Sequence, residues 1–201
     1  MLRSLFFIIS IFISITAFSQ EKILLKGNTV FLPVGVFNFA AEKQIKKNYT
    51  LQGELFISPW KSFATHQAQI YMLGIDGRYY FGENFKKWYL GANISYMRFI
   101  VQKMNYWSDI PYQFDENSPV YITSDLYQDG YSFIFGAVGG YQWELNEKWN
   151  LDFYLGVGNS QSVYKGYHEK LKIRYDDPNK TNRSGEWIPY KGGVMLVYKL
   201  N

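Results

Sequence analysis

The chain lacks several features that would point to a particular chemistry. It has no cysteine, which excludes disulfides, thiolate metal sites and a lipid-anchored cysteine. Its formal net charge of +4 is too weak to indicate nucleic-acid binding. Beyond the N-terminal segment there is no long apolar run that could cross a membrane as a helix. These absences favour a chain that is stabilised by burial and backbone pairing.

The first residues have the pattern of a secretory signal peptide. Arg3 supplies a positive charge, Leu5–Ala17 is an apolar run too short for a comfortable membrane span, and small residues occupy Ala17 and Ser19. We therefore expect residues 1–19 to be a cleaved signal peptide and residues 20–201 to form one domain. Loss of Arg3 would lower the net charge to +3.

Aromatic residues are abundant, at 20% of the chain with 18 tyrosines. In the segment Trp149–Val157, large apolar residues alternate with small or polar ones, which is the period of an extended strand. Strands with one apolar face, one polar face and aromatic ends are typical of membrane barrels. The sequence predicts an all-β fold, an eight-stranded antiparallel up-and-down transmembrane β-barrel that follows the signal peptide and lies in the cell outer membrane.

The eight strands are predicted from this alternation, with short turns at the periplasmic end and long loops at the outer end. The long outer segments are Pro59–His66, Gln102–Gly130 and Gly166–Glu186. The predicted strands are Ile23–Phe31, Val34–Ala41, Tyr49–Ser58, Gln67–Phe81, Lys87–Val101, Tyr131–Leu145, a strand that opens at Trp149, and Trp187–Leu200.

The polar face is expected to line the lumen, because it is mainly small and carries few charges, whereas a water-exposed face would carry many. Tyr190 is placed on the apolar, outward face. A soluble calyx with the opposite orientation is the alternative. Inward charges must be paired when they are buried, so they are predicted to form a plug, with a narrow ion path as the weaker interpretation. The predicted lumen charge network consists of Glu54, Asp76, Arg78, Glu144, Asp152 and Lys191.

The two long outer loops carry opposite charges, since Gln102–Gly130 is acidic and Gly166–Glu186 is basic. We expect them to pack together and cap the outer mouth, mainly through aromatic burial, and Tyr167–Tyr175 is predicted to project as a strand. The cap is the expected place for a partner to bind. The candidate interaction residues are Tyr106, Trp107, Tyr112, Phe114, Lys170, Lys172 and Arg174.

Several strand motifs resemble those of a known family. They are Phe56–Trp60, Gly77–Phe81, Gly139–Trp143, Trp149–Leu151, Gly156–Gly158 and Pro189–Val197. In this order they are similar to DUF3575, a Bacteroidota family of small outer-membrane barrels of unknown function. The resemblance implies an outer-membrane location and supplies no catalytic residues.

The expected function is a structural or interaction role through the outer loops, without catalysis or a cofactor. Expected partners are outer-membrane lipid, lipopolysaccharide and another envelope or extracellular protein, but no nucleic acid. The alternatives are a lipid-modifying enzyme or protease and small-solute transport. Only His66 and His168 are present, and a pairing of His168 with Ser160 or Ser162 has no supporting motif.

Overall fold

The computed structural model describes residues 22–83, 85–116 and 118–200. The predicted signal peptide lies outside these residues. Ten strands are present: β1 Ile23–Asn28, β2 Phe37–Lys46, β3 Tyr49–Phe63, β4 His66–Tyr80, β5 Lys87–Val101, β6 Pro111–Gln113, β7 Val120–Ile122, β8 Leu126–Glu144, β9 Trp149–His168 and β10 Asn182–Lys199. Short 3-10 turns cover Leu32–Val34, Met104–Tyr106 and Thr123–Asp125.

Eight of the strands close into a ring in the order β1-β10-β9-β8-β5-β4-β3-β2, and β6 pairs with β7 in a separate hairpin. Every neighbouring pair in the ring is antiparallel. The predicted all-β, eight-stranded, antiparallel up-and-down architecture is confirmed. No helix in the described part of the chain is long and apolar enough to cross a membrane.

The barrel has two different ends. Lys22, Leu200 and the turns after β2, β4 and β8 lie at one end, which we call the terminal end. The connections after β1, β3, β5 and β9 lie at the opposite end, which we call the loop end. The strands reach further toward the loop end than predicted, because β8 already begins at Leu126, β9 continues to His168 and β10 begins at Asn182.

Two sequence predictions at the loop end are wrong. The segment predicted as a long loop, Pro59–His66, instead continues β3 and β4 to a two-residue turn at Ala64 and Thr65, both with positive φ, as the tight hairpin turns that match strand twist require. Tyr167–Tyr175 is also not one strand. The chain reverses after His168, whose N–H donates to the Ile173 carbonyl at 2.8 Å.

The two faces of the wall follow the predicted alternation. On β9, Leu155 of the outer face is 60% exposed, whereas Asp152 of the inner face is 0% exposed. Aromatic pairs lie at the terminal end, including Trp149 with Tyr198, whose ring centroids are 4.9 Å apart. The fold therefore presents apolar side chains outward, and its lumen holds polar side chains together with a cluster of buried apolar and aromatic ones that includes Leu24, Val138 and Met195.

Tyr190 departs from its predicted outward position. A β-bulge shifts the β10 register between Pro189 and Lys191, so that Tyr190 is the extra residue of the bulge. Its ring lies over two inward-facing glycines, Gly136 and Gly156, within 3.1 and 3.4 Å of where their Cβ atoms would stand. The two glycines leave room for this ring in the lumen.

The wall is complete only in the half near the terminal end. β1 pairs with β10 no further than Asn28 with Met195, and β2 pairs with β3 no further than Phe37 with Ile57. Residues 182–193 of β10 and 58–63 of β3 continue toward the loop end without a ladder partner on that side. The barrel is therefore notched between β10 and β3.

Candidate functional site

A network of buried charges fills the closed half of the lumen. Arg78 is 1% exposed, and its guanidinium contacts three carboxylates, those of Asp76 at 3.0 Å, Asp152 at 3.1 Å and Glu42 at 3.5 Å. Lys26 bridges two of the same groups, since its Nζ pairs with Glu42 and lies 2.6 Å from Asp152. Each carboxylate that contacts Arg78 is thus shared with a second cation.

A second lysine extends the network toward the loop end. Lys191 Nζ lies 2.6 Å from Asp76 and 3.0 Å from Glu54. Three cations, Lys26, Arg78 and Lys191, therefore face the four carboxylates of Glu42, Glu54, Asp76 and Asp152, which leaves one negative charge in excess. Buried charges persist only when they are paired in this way.

Neutral groups satisfy the remaining acceptors of the network. The Tyr80 hydroxyl donates to Glu42 at 2.9 Å, and the Tyr89 hydroxyl donates to Asp152 at 2.8 Å. The Arg78 guanidinium carbon also lies 4.5 Å from the centre of the Tyr89 ring, a cation–π distance. The carboxylates are thus held by fixed donors, and the network acts as a structural plug.

The strand register explains why these residues meet. Alternate residues of a strand face the lumen, and Gln52, Asp76 and Asn93 are register partners on β3, β4 and β5. An eight-stranded lumen is narrow enough for such side chains to fill it. Groups that are far apart in the sequence, such as Lys26 and Asp152, therefore meet across the barrel.

Five of the six predicted network residues, Glu54, Asp76, Arg78, Asp152 and Lys191, lie in this network, but Glu144 does not. Glu144 lies at the rim of the terminal end, where Lys86 and Lys199 contact it at 2.9 and 2.6 Å. Its position next to the β8–β9 turn keeps it out of the lumen.

Sequence reasoning missed Lys26 and Glu42, which are both fully buried members of the network. Lys26 continues an inward series with Leu24 and Asn28, all buried. Glu42 was missed because β2 was expected to end at Ala41, whereas it continues to Lys46. Extension of the alternation by one residue would have identified Glu42.

An aromatic cluster joins the two long connections at the loop end. Tyr106, Leu126 and Tyr175 are buried together, and Tyr112 and Tyr121 pack against them. The Tyr112 ring lies 5.8 Å from both the Tyr106 and the Tyr175 rings. Burial and the neighbouring Tyr106 raise the pKa of Tyr112 to about 12. The segments 102–125 and 169–181 therefore pack together.

Polar contacts between the segments are fewer than the charge pattern suggested. Of the three basic candidates, Lys170 reaches across, with its Nζ 2.9 Å from Asp125. Arg174 instead contacts Asp176 of its own segment at 2.7 Å, and Lys172 is exposed. Since an exposed ion pair contributes about 0–1 kcal/mol, aromatic burial supplies most of the cohesion.

The other aromatic candidates have separate positions. Trp107 stacks on His66, with ring centroids 4.4 Å apart and an interplanar angle of 4°. The His66 ring nitrogen Nδ1 also lies 2.9 Å from the Gln102 side-chain oxygen. Phe114 is exposed. Trp107 thus fastens the segment after β5 to the end of the β3–β4 hairpin.

His168 is not paired with a serine. It is buried, with its ring 5.2 Å from that of Tyr121 and its Nδ1 accepting the Leu171 N–H at 3.3 Å. Ser160 bonds instead to the hydroxyls of Ser132 and Ser162. Among the described residues there is also no group of three or more acidic or histidine side chains placed to hold a metal ion.

No curated protein is detectably similar to this chain. The resemblance carried by the strand motifs is confirmed at the level of the family: the family described as "Protein of unknown function (DUF3575)" matches residues 5–200, and the chain therefore belongs to that family.

Proposed function

We propose that the protein is an outer-membrane β-barrel that presents its loop end to a partner outside the cell. The observation that carries this proposal is the uncharged belt on the outer face. From Trp149 to Val157 on β9, every outward residue is apolar, and the first outward polar group beyond it is Asn159. Nine residues at about 3.3 Å each, tilted by about 40°, span a height of about 23 Å, close to the apolar belt of membrane barrels.

Other strands show the same limit toward the loop end. Outward charges at Lys61, Arg98, Asp129, Lys165 and Arg183 all lie toward the loop end, beyond the belt. In a soluble calyx the charges of the network would face water and the apolar residues would be buried. The opposite holds here, because Arg78 and Asp152 are buried while Leu73 and Leu155 are each 60% exposed. This contrast supports lipid as the solvent of the outer face.

The interaction role rests on the two packed segments at the loop end. A compact cluster of tyrosines holds these segments together. The candidate catalytic pair of His168 with Ser160 is not formed beside this cluster, because each of the two side chains bonds to another group. The charge network closes the lumen beneath them, which argues against solute transport. A rigid platform above a closed barrel fits a protein that holds a partner at the cell surface.

Membrane fractionation of the tagged, full-length chain tests the location, with a heat-modifiable gel band as the sign of a folded barrel. We expect the protein in the outer-membrane fraction, and a soluble, detergent-independent protein would contradict the proposal. Co-purification after surface cross-linking tests the interaction. A partner should be recovered with the wild type and lost with Tyr112→Ala and Tyr175→Ala, whereas Leu145→Ala at the other end should retain it.

A further inference from the structure

The notch between β10 and β3 is wide enough to admit a molecule from the side. In the ring β1 and β2 separate β10 from β3, and both stop short, at Asn28 and Phe37, of the loop end. Strands lie about 4.8 Å apart, so the backbones of β10 and β3 are separated by up to about 14 Å, and the β1–β2 connection covers the lower part of this gap through bonds to Val194 and Trp60. A single hydrocarbon chain is much narrower than this gap.

Both edges of the notch are protected against pairing with another strand. Each free edge contains one proline, Pro59 on β3 and Pro189 on β10. Proline cannot donate a ladder hydrogen bond and is confined to edge strands and bulges. One edge carbonyl, that of Gly192 on β10, accepts a hydrogen bond from Asn28 Nδ2 at 3.4 Å, and Trp60 on the β3 edge donates from Nε1 to the Val34 carbonyl of the β1–β2 connection at 2.9 Å. The edges therefore do not need a partner strand.

The floor of the notch is apolar and exposed. The β1–β2 connection carries Val30, Leu32 and Val34, each about half exposed. Phe31 from the same connection packs edge-on against Phe56 of β3, with ring centroids 5.7 Å apart. A connection of this composition is suited to contact with hydrocarbon rather than with water. The entrance is therefore apolar at its lower edge.

A cavity of about 190 Å³ lies in the lumen at the height of the notch, and Ile188 of the free β10 edge forms part of its lining. One wall is apolar and consists of Ile70, Met97, Phe99 and Val101. The opposite wall includes Ser160 and Ser162, whose hydroxyls bond to each other at 3.2 Å. These two hydroxyls therefore already have a partner within the wall, and the apolar wall offers the surface for a hydrocarbon ligand.

We propose that the notch, whose lower part adjoins the uncharged belt at Val157, is a lateral portal through which the end of one acyl chain enters this cavity from the outer edge of the membrane. At about 30 Å³ for each water-sized group, the cavity holds about six methylenes, the terminal part of a lipid chain or of a free fatty acid. Lys103 and Glu186 also line the cavity, so charged groups border its apolar wall. This inference rests on the proposed membrane location.

Photo-cross-linking of the signal-free chain folded in phosphatidylcholine vesicles tests the portal. One arm uses phosphatidylcholine with a diazirine near the end of one acyl chain, and the other uses the corresponding free fatty acid. Adducts are mapped by tandem mass spectrometry. We expect adducts on Met97 and Phe99 in the cavity as well as on Leu73 of the outer face, but none on Val138 in the closed half. Whichever arm labels the cavity identifies the source of the chain.

Filling the cavity provides the matched control. Ser162→Phe places a ring in the cavity, whereas Val163→Phe adds the same ring outside the wall. We expect Ser162→Phe to lower the cavity adducts about tenfold and Val163→Phe to leave them unchanged. Val101→Trp fills the cavity from the facing wall and keeps the test in place if Ser162→Phe does not fold.

Failure of the portal proposal and failure of the proposed membrane location would give different results. Adducts on Leu73 without any in the cavity, or equal effects of Ser162→Phe and Val163→Phe, would overturn the portal and leave the membrane location intact. A chain that gives no heat-modifiable band and no adduct even on Leu73 would overturn both.

Discussion

Removal of Arg78 should be among the most damaging single changes in the barrel. Its guanidinium contacts Asp76, Asp152 and Glu42 at 3.0, 3.1 and 3.5 Å with both partners of each pair fully buried. Arg78→Met nearly preserves the length of the side chain but removes the charge. The network would then hold two cations against four carboxylates, so the uncompensated negative charge would double from one to two.

The expected loss of unfolding free energy in Arg78→Met follows from two opposing contributions. At an effective dielectric constant of 20, charges 4 Å apart attract by about 4 kcal/mol, and Arg78 has three such partners. Desolvation of the ion offsets several kcal/mol of this attraction, and Lys26 and Lys191 still hold the carboxylates. A net loss of about 3–5 kcal/mol is therefore expected, as for other broken buried ion pairs.

The measurement is urea unfolding of the protein refolded in detergent micelles, followed by tryptophan fluorescence and by the heat-modifiable gel band. Arg98→Met is the matched control, because Arg98 pairs with Asp129 on the outer surface, where both side chains are partly exposed. It should cost about 0–1 kcal/mol. Arg78→Met combined with Asp152→Asn should recover part of the stability. Equal losses for Arg78→Met and Arg98→Met would refute the reasoning.

Three further predictions concern the outer face and the loop end. Leu155→Arg should cost about 2–4 kcal/mol in refolding titrations near the bilayer midplane, and Gln161→Arg, outward but beyond the belt, about 0–1 kcal/mol; equal costs would contradict the proposed belt. Tyr175→Ala should speed proteolysis within 102–125 because it removes the buried contact with Tyr112, whereas the exposed Lys172→Ala should have no effect; unchanged cleavage of Tyr175→Ala would show that the segments are held otherwise. Since burial raises the pKa of Tyr112 from 10.0 to about 12, its neutral form stabilises the packed loops below pH 10, and this contribution is lost as the pH rises through 12. The absorbance titration at 295 nm should therefore lose a late-titrating tyrosine in Tyr112→Phe, and a difference curve centred near pH 10 would contradict the burial.

The loop end was predicted less accurately than the strands for a local reason. Pro59, Ser62 and Thr65 indicate a loop by composition, yet the chain forms a long hairpin there because Ala64 and Thr65 take up the positive φ of a tight turn. The aromatic residues were expected to supply most of the contact between the two long segments, and the tyrosine cluster agrees with this, but the sequence did not indicate that Arg174 pairs within its own segment. Composition indicates which groups are available, but not which partner lies within reach.

The sequence by itself determined the strand period, the number of strands in the ring and, apart from the bulged Tyr190, the side of the wall that the strand residues face, because alternation has the same period as the pleat. Tertiary structure decided the rest. Closure of the ring brings Lys26 of β1 to within 2.6 Å of Asp152 on β9, a contact that no local pattern encodes. The bulge that turns Tyr190 inward and the early ends of β1 and β2 also depend on register between strands. Register is a property of pairs of strands, and for that reason the charge network, the notch and the cavity appear only once the barrel has closed.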